Sequence, residues 1–217
     1  MRYLILLLTA ISASAYAQVL SVFIWDAPPG NDAQMYEIAG QAKALQEKLG
    51  AEVFIGTDQR GRMHYGTTFD DAAARGKFTD SLFADEGWQA LIADASQRDG
   101  AATLQTVHNL RTVVAGSGEN GRVIMVYQWR PKPGHGAEFI GQSARAKKIH
   151  DKLGADVSVE VDEKGHVFYA MNFASWEAHG KFADAVAASE EWSAFLAEVS
   201  KDPTAKQIDT YRITTMP

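Results

Sequence analysis

Apolar and polar positions alternate along this chain with two different periods. Val157, Val159 and Val161 alternate with Asp156, Ser158 and Glu160, the period-two pattern of a strand with one dry face. Glu163-Lys164-Gly165 reads as a three-residue hairpin loop with glycine at the positive-φ position. The dry face then resumes in Val167, Tyr169, Met171 and Phe173. Elsewhere the period is helical. Met35, Ile38, Ala42, Leu45 and Leu49 recur at steps of three and four, and Gly50 supplies a left-handed stop. Phe139, Ala146, Ile149 and Leu153, followed by Gly154, repeat that helix. Val19–Trp25 and Val123–Trp129 read as strands that are apolar on both parities, so both of their faces must be covered. A second helix is expected after the N-cap Asp70 or Ser175. A break follows near Asp85 or Ser189, where a new cap precedes Trp88 or Trp192. Its buried side would hold Phe78, Leu82, Trp88, Leu91 and Ile92, and Thr103–Val113 or Gln207–Thr215 closes each set as a strand.

Every element thus occurs twice, and the two copies lie 104 positions apart: Trp25 falls on Trp129, Pro29-Gly30 on Pro133-Gly134, and Lys48-Leu49-Gly50-Ala51 on Lys152-Leu153-Gly154-Ala155. About a third of the positions from Trp25 to Thr106 are identical under this shift, with no gap, which marks an internal duplication. The order strand-helix-strand-strand-helix-strand predicts an α+β fold of two tandem ferredoxin-like units, 18–114 and 122–217, joined by a Gly-rich linker at 115–121. In such a unit the helices cover one sheet face and leave the other bare. The bare faces are expected to carry Phe23, Trp25 and Phe54 in one copy and Tyr127, Trp129 and Phe168 in the other. Burial of each ring is worth roughly 1.5–3 kcal/mol, so the two faces are expected to pack sheet to sheet as a pseudo-twofold pair.

That order, with the Pro-Gly after the first strand, the Leu-Gly-Ala after the first helix and the broken second helix with its tryptophan, resembles the dimeric α/β-barrel superfamily. The nearest likeness is to antibiotic-biosynthesis-monooxygenase-like and NIPSNAP-like domains, in an exported tandem version. The resemblance implies a cavity enclosed by the sheets and activities that range from cofactor-independent oxygenation to heme degradation. It carries over no set of catalytic residues.

Charge and composition narrow the partners. The formal net charge is −6, and no Lys/Arg cluster falls on a predicted face, which argues against nucleic acid. The chain has no cysteine, so disulfides, thiolate nucleophiles and thiolate metal sites are excluded. Arg2, the apolar run from Leu4 and Ala15-Tyr16-Ala17 have the form of a cleaved signal peptide over 1–17. The run is shorter than the roughly 20 residues of a spanning helix. A mature protein starting near Gln18 is expected, periplasmic or secreted, with no membrane span.

The candidate chemistry lies on the bare faces, at positions where the two copies differ: His64 against Phe168, Gly56 against Glu160, Thr68 against Asn172. His64 and Glu160 are expected as candidate bases and Asn172 as an oxyanion holder, with Phe23, Trp25, Tyr127, Trp129 and Phe168 lining a site for a small apolar or aromatic molecule. The plainer reading is a non-catalytic protein whose aromatics are core, with His64 satisfied by a hydroxyl such as Thr68 and Glu160 wet. Heme in the same cavity, on His64, is a further alternative; otherwise no cofactor is expected. No histidine spacing marks a metal site, and His150 is expected at a solvated helix end. Gly116-Ser117-Gly118-Glu119-Asn120-Gly121 matches the dinucleotide fingerprint, but a strand rather than a helix follows it, so it reads as the linker.

Overall fold

The computed structural model describes residues 18–117 and 121–216. The elements run in chain order as β1 (Val19–Asp26), α1 (Asp32–Lys48), β2 (Glu52–Asp58), β3 (Met63–Phe69), α2 (Ala72–Ala84), α3 (Glu86–Gln97), β4 (Thr103–Val114), β5 (Val123–Pro131), α4 (Gly136–Lys152), β6 (Asp156–Asp162), β7 (Val167–Phe173), α5 (Trp176–Ala188), α6 (Glu190–Val199) and β8 (Ala205–Thr215). The starts of β1, α1, β2, β3, α2 and α3 recur at the same 104-residue shift in β5, α4, β6, β7, α5 and α6. The expected signal peptide at 1–17 and part of the expected linker, 118–120, lie outside the described residues. The flanks of that glycine-rich run are strands, β4 ending at Val114 and β5 beginning at Val123, so no helix N-terminus follows it to hold a pyrophosphate.

The strands form one closed antiparallel barrel in the order β1-β3-β2-β8-β5-β7-β6-β4. Face-to-face packing of two separate sheets, the expectation above, is therefore replaced by edge joining. β2 pairs with β8 (Gly56 opposite Thr215) and β4 pairs with β6 (Leu110 opposite Asp162), so no edge strand is left. The Arg60 guanidinium, in the β2–β3 loop, adds a two-pronged bond to Asp209 of β8 at 2.8 and 3.2 Å.

Local chemistry accounts for the turns. Asp58 accepts from the backbone N–H groups of Arg60 and Arg62, and Asp162 from those of Lys164 and His166, closing both hairpins. Gly61 and Gly165 take φ of 83° and 77°, which a side chain would resist. Asp71, one residue beyond the expected Asp70, caps α2 through Ala74 N–H, while Ser175 caps α5. The expected helix breaks occur where Asp85 and Ser189 accept from the N–H groups of Trp88 and Trp192.

The core divides into three layers. Two lie between the barrel wall and its helices, one per half, and the third fills the barrel interior around Ile24, Val126, Phe168, Tyr211 and Ile213.

Candidate functional site

The register of β1 on β3 decides which side chains meet. Val22 stands opposite Gly66 and Ile24 opposite His64, while Phe23 stands opposite Tyr65 and Trp25 opposite Met63. Directly opposed residues share a face, so His64 belongs with the aliphatic positions inside the barrel and Trp25 with the helix side. Phe23 and Trp25 pack in the helix-covered core of the first half and Tyr127 and Trp129 in that of the second. These four do not line the barrel interior, contrary to the sequence expectation. The pattern misled because both parities of β1 and β5 are apolar. In these two strands the aliphatic set faces the interior and the larger rings reach outward to the helices. Phe168 does face inward, fully buried.

His64, Glu160 and Asn172 all line one cavity of about 170 Å³ in the barrel interior. His64 is fully buried, and its partner is Asp58 rather than a hydroxyl: Nε2 lies 3.0 Å from Asp58 Oδ2. Arg62 donates to the same oxygen through Nε and Nη2 at 2.8 and 2.6 Å. Burial alone would raise the Asp58 carboxyl, but the hydrogen bonds from His64, Arg62 and two backbone N–H groups hold it below its ordinary value. Burial pulls the His64 imidazole down, against the opposing pull of Asp58. The neutral ring therefore donates from Nε2, and Nδ1 is left as an acceptor, buried and without a partner. Glu160, expected wet, is only 6% exposed. Burial pushes its carboxyl up to about 7, against a hydrogen bond from Ser158. Asn172 donates to the Asp156 carbonyl at 3.5 Å, at the far end of the cavity. Sequence reasoning missed two interior members. His108 meets the Phe168 ring at 4.9 Å, and Tyr211 lies over His64 at 5.0 Å. Both occupy closing strands, for which no parity was assigned.

The larger space lies elsewhere. Between β1–β3 and helices α1–α3 is a cleft of about 590 Å³, within the range of small-molecule sites. Phe23, Trp25, Met35, Tyr65 and Trp88 form its apolar walls, and the exposed Phe83 and Ile92 stand at its mouth. Three side-chain atoms on its lining, Gln34 Nε2, Gln46 Oε1 and Tyr65 Oη, are buried with no hydrogen-bond partner. Such orphans are uncommon in a folded protein, because each forfeits its hydration without compensation. Burial, with the Glu47 charge, pushes the Tyr65 phenol well up, so the hydroxyl is held as a neutral donor.

The other half shows why this cleft is open. The counterparts of Ser21, Met35, Gln46 and Leu91 are Met125, Phe139, His150 and Phe195. These larger groups fill the corresponding space, and His150 is buried against Trp192, Phe182 and Tyr169 instead of being solvated. His150 Nδ1 and the Tyr169 hydroxyl share a 2.8 Å hydrogen bond, so neither is orphaned.

Heme needs an axial donor and room in one place, and the described residues separate the two. Of the two imidazoles placed in the barrel interior among the described residues, His64 borders the 170 Å³ cavity and His108 packs on the Phe168 ring. The 590 Å³ cleft has no histidine on its lining, and its one phenol is driven away from tyrosinate. Among the described residues no cluster of three or more His, Asp or Glu side chains is placed to hold a metal ion. No helix among them is long and apolar enough to cross a membrane.

No protein-family model and no curated protein matches the sequence. The fold does match solved structures. A candidate monooxygenase from Fusobacterium nucleatum subsp. nucleatum ATCC 25586 superposes with a TM-score of 0.68 at 11% identity, over 93% of this chain and 94% of that one. A candidate monooxygenase from Lactobacillus acidophilus NCFM gives 0.65 at 12%, over 92% and 94%. An anthrone oxidase-like protein gives 0.56 at 13%, over 94% of each chain. At these identities the likeness is one of fold, an α+β closed barrel of eight antiparallel strands with helices outside.

Proposed function

We propose that this chain binds a small, flat, largely aromatic molecule bearing a hydroxyl, in the cleft between β1–β3 and α1–α3. The observation that carries the reading is a ligand-sized apolar space among whose lining residues Gln34, Gln46 and Tyr65 each keep a buried polar atom without a hydrogen-bond partner. A single ligand hydroxyl would satisfy two of them, accepting from the Tyr65 hydroxyl and donating to Gln46 Oε1. Gln34 lies twelve residues earlier on α1, about 18 Å along the helix axis, beyond the reach of a three-ring molecule seated on Tyr65 and Gln46. Phe23, Trp25 and Trp88 supply ring contact. A protein packed solid throughout, the plainer alternative, has no use for such a space.

The fold neighbours described as candidate monooxygenases and as anthrone oxidase-like support oxygenation of the bound molecule as the chemistry. The chain's own contribution would be to hold the oxygen functions and exclude water. The two halves act as tandem, pseudo-twofold ferredoxin-like units of which the first keeps the site. The protein is proposed to be exported, with a mature chain that N-terminal sequencing finds to begin near Gln18.

Titration of the full chain with a dihydroxyanthrone, followed by tryptophan fluorescence under nitrogen, tests the binding. Saturable quenching is expected in the wild type and its loss in Leu91→Phe with Ser21→Met, substitutions that import the bulk of the second half. Equal quenching in that variant would overturn the assignment.

A further inference from the structure

The barrel interior holds a second polar site, independent of the cleft. Its space arises because the halves are complementary there: the first sets Phe54, Gly56, His64 and Gly66 inward where the second sets Ser158, Glu160, Phe168 and Ala170. A Cβ on Gly66 would stand 1.9 Å from the Phe54 ring, so that ring lies down on the strand, and Ser158 opposite brings no ring to fill the gap. The cavity, about 170 Å³, is below the roughly 300 Å³ at which pockets for drug-sized ligands begin. It extends to the barrel end where the exposed Gln18 and Glu52 border it, so it is reachable from solvent.

Three carboxylates line this cavity, Glu52, Asp156 and Glu160, and no lysine or arginine does. At the mouth Asp156 accepts from the backbone N–H and hydroxyl of Ser117. Glu160 lies deeper and forms no ion pair among the described residues. A carboxylate taken out of water without a cation is a costly arrangement that a bound cation would relieve. His64 borders the same space with its unpartnered Nδ1 acceptor, since Asp58 occupies Nε2. The Tyr211 ring lies 5.0 Å from His64 and borders the same cavity as Glu160. Phe54, Phe168 and Tyr211 present ring surface to the rest of the cavity. An anion without a counterion, an idle nitrogen acceptor and aromatic faces are together what an alkylated ammonium group requires.

We propose that the barrel interior binds a small primary or secondary alkylammonium ion, its charge against Glu160, an N–H given to His64 Nδ1 and its alkyl part among Phe54, Phe168 and Tyr211. The size of the cavity restricts the ion to a short chain. Calorimetric titration of the full chain with n-propylammonium chloride tests this, against sodium chloride at equal ionic strength and against propanol. One ion per chain is expected, with propanol and sodium each weaker by roughly tenfold or more, and a similar loss in Glu160→Gln. Gln46→His, in the other cavity, is expected to leave the binding unchanged, which separates this site from the cleft. Propanol binding as tightly as propylammonium would overturn the proposal in the unmodified protein, whatever the variants do. So would an undiminished affinity in a folded Glu160→Gln protein.

Discussion

His150 Nδ1 and the Tyr169 hydroxyl are joined at 2.8 Å, while in the first half Gln46 Oε1 and the Tyr65 hydroxyl, on the counterpart residues, are each buried without a partner. The Gln46/His150 difference thus decides whether the tyrosine hydroxyl is partnered, while Ser21, Met35 and Leu91 against Met125, Phe139 and Phe195 decide whether the space is filled. Gln46→His is expected to let an imidazole meet Tyr65 as His150 meets Tyr169. A net hydrogen bond is worth about 1 kcal/mol, which for a chain of this length is a rise in Tm of roughly 2–4 °C. Affinity for the dihydroxyanthrone should fall in the same variant. Thermal unfolding that does not shift, with affinity retained, would show that the two groups are not idle.

Glu160 and His150 make opposite contributions to acid stability. Burial lifts the Glu160 carboxyl from 4.5 to about 7. Between those values the unfolded chain has lost a proton that the folded chain retains, so stability from this group falls as pH rises through the window. Burial lowers His150 from 6.5 to about 4. Over that range the unfolded chain gains a proton that the folded chain refuses, so stability falls as pH drops. Each effect is on the order of 3 kcal/mol, and the two nearly cancel in the wild type. Urea unfolding of Glu160→Gln should therefore show a gain of about 2–3 kcal/mol over wild type at pH 8 and none near pH 4. A gain of the same size at both pH values would contradict the buried carboxyl.

Asp58 fixes the tautomer of His64. Asp58→Asn removes the charge that faces Arg62 and should destabilise the fold by roughly 3 kcal/mol. The side-chain amide can donate to His64 Nε2, which moves the ring proton to Nδ1. Nitrogen-15 spectra of the imidazole should show the Nε2–H form in the wild type and the Nδ1–H form in the variant. An Nδ1–H wild type would remove the acceptor on which the interior site depends.

The duplication was legible because it is written in letters: Trp25 and Trp129 mark the opening strand of each half, Gly61 and Gly165 its hairpin, and Asp85 and Ser189 the cap where its second helix breaks. The inward aim of His64, Glu160 and Phe168 could also be read, because polar and apolar positions alternate cleanly in β6 and the hairpin fixes β7 against it. The facing of Phe23, Trp25, Tyr127 and Trp129 could not. In β1 and β5 no polar parity exists to orient the strand, and only the ladder to β3 or β7 decides it. Gln46 was passed over for a related reason. The helical stripe was drawn through Leu45, yet Gln46 is the more buried of the two, 6% exposed. A polar residue in a core is invisible to a hydrophobic periodicity. Asp58 stood six residues from His64, and only the hairpin geometry shows that the two side chains meet.

The structure of the chain with a dihydroxyanthrone bound tests the central claim most directly. The account predicts the ligand between Trp25 and Trp88, with one hydroxyl at hydrogen-bonding distance from both Tyr65 Oη and Gln46 Oε1. A ligand seated instead beside His64 and Phe168 in the barrel, or against Tyr169 and Trp192 in the second half, would contradict it.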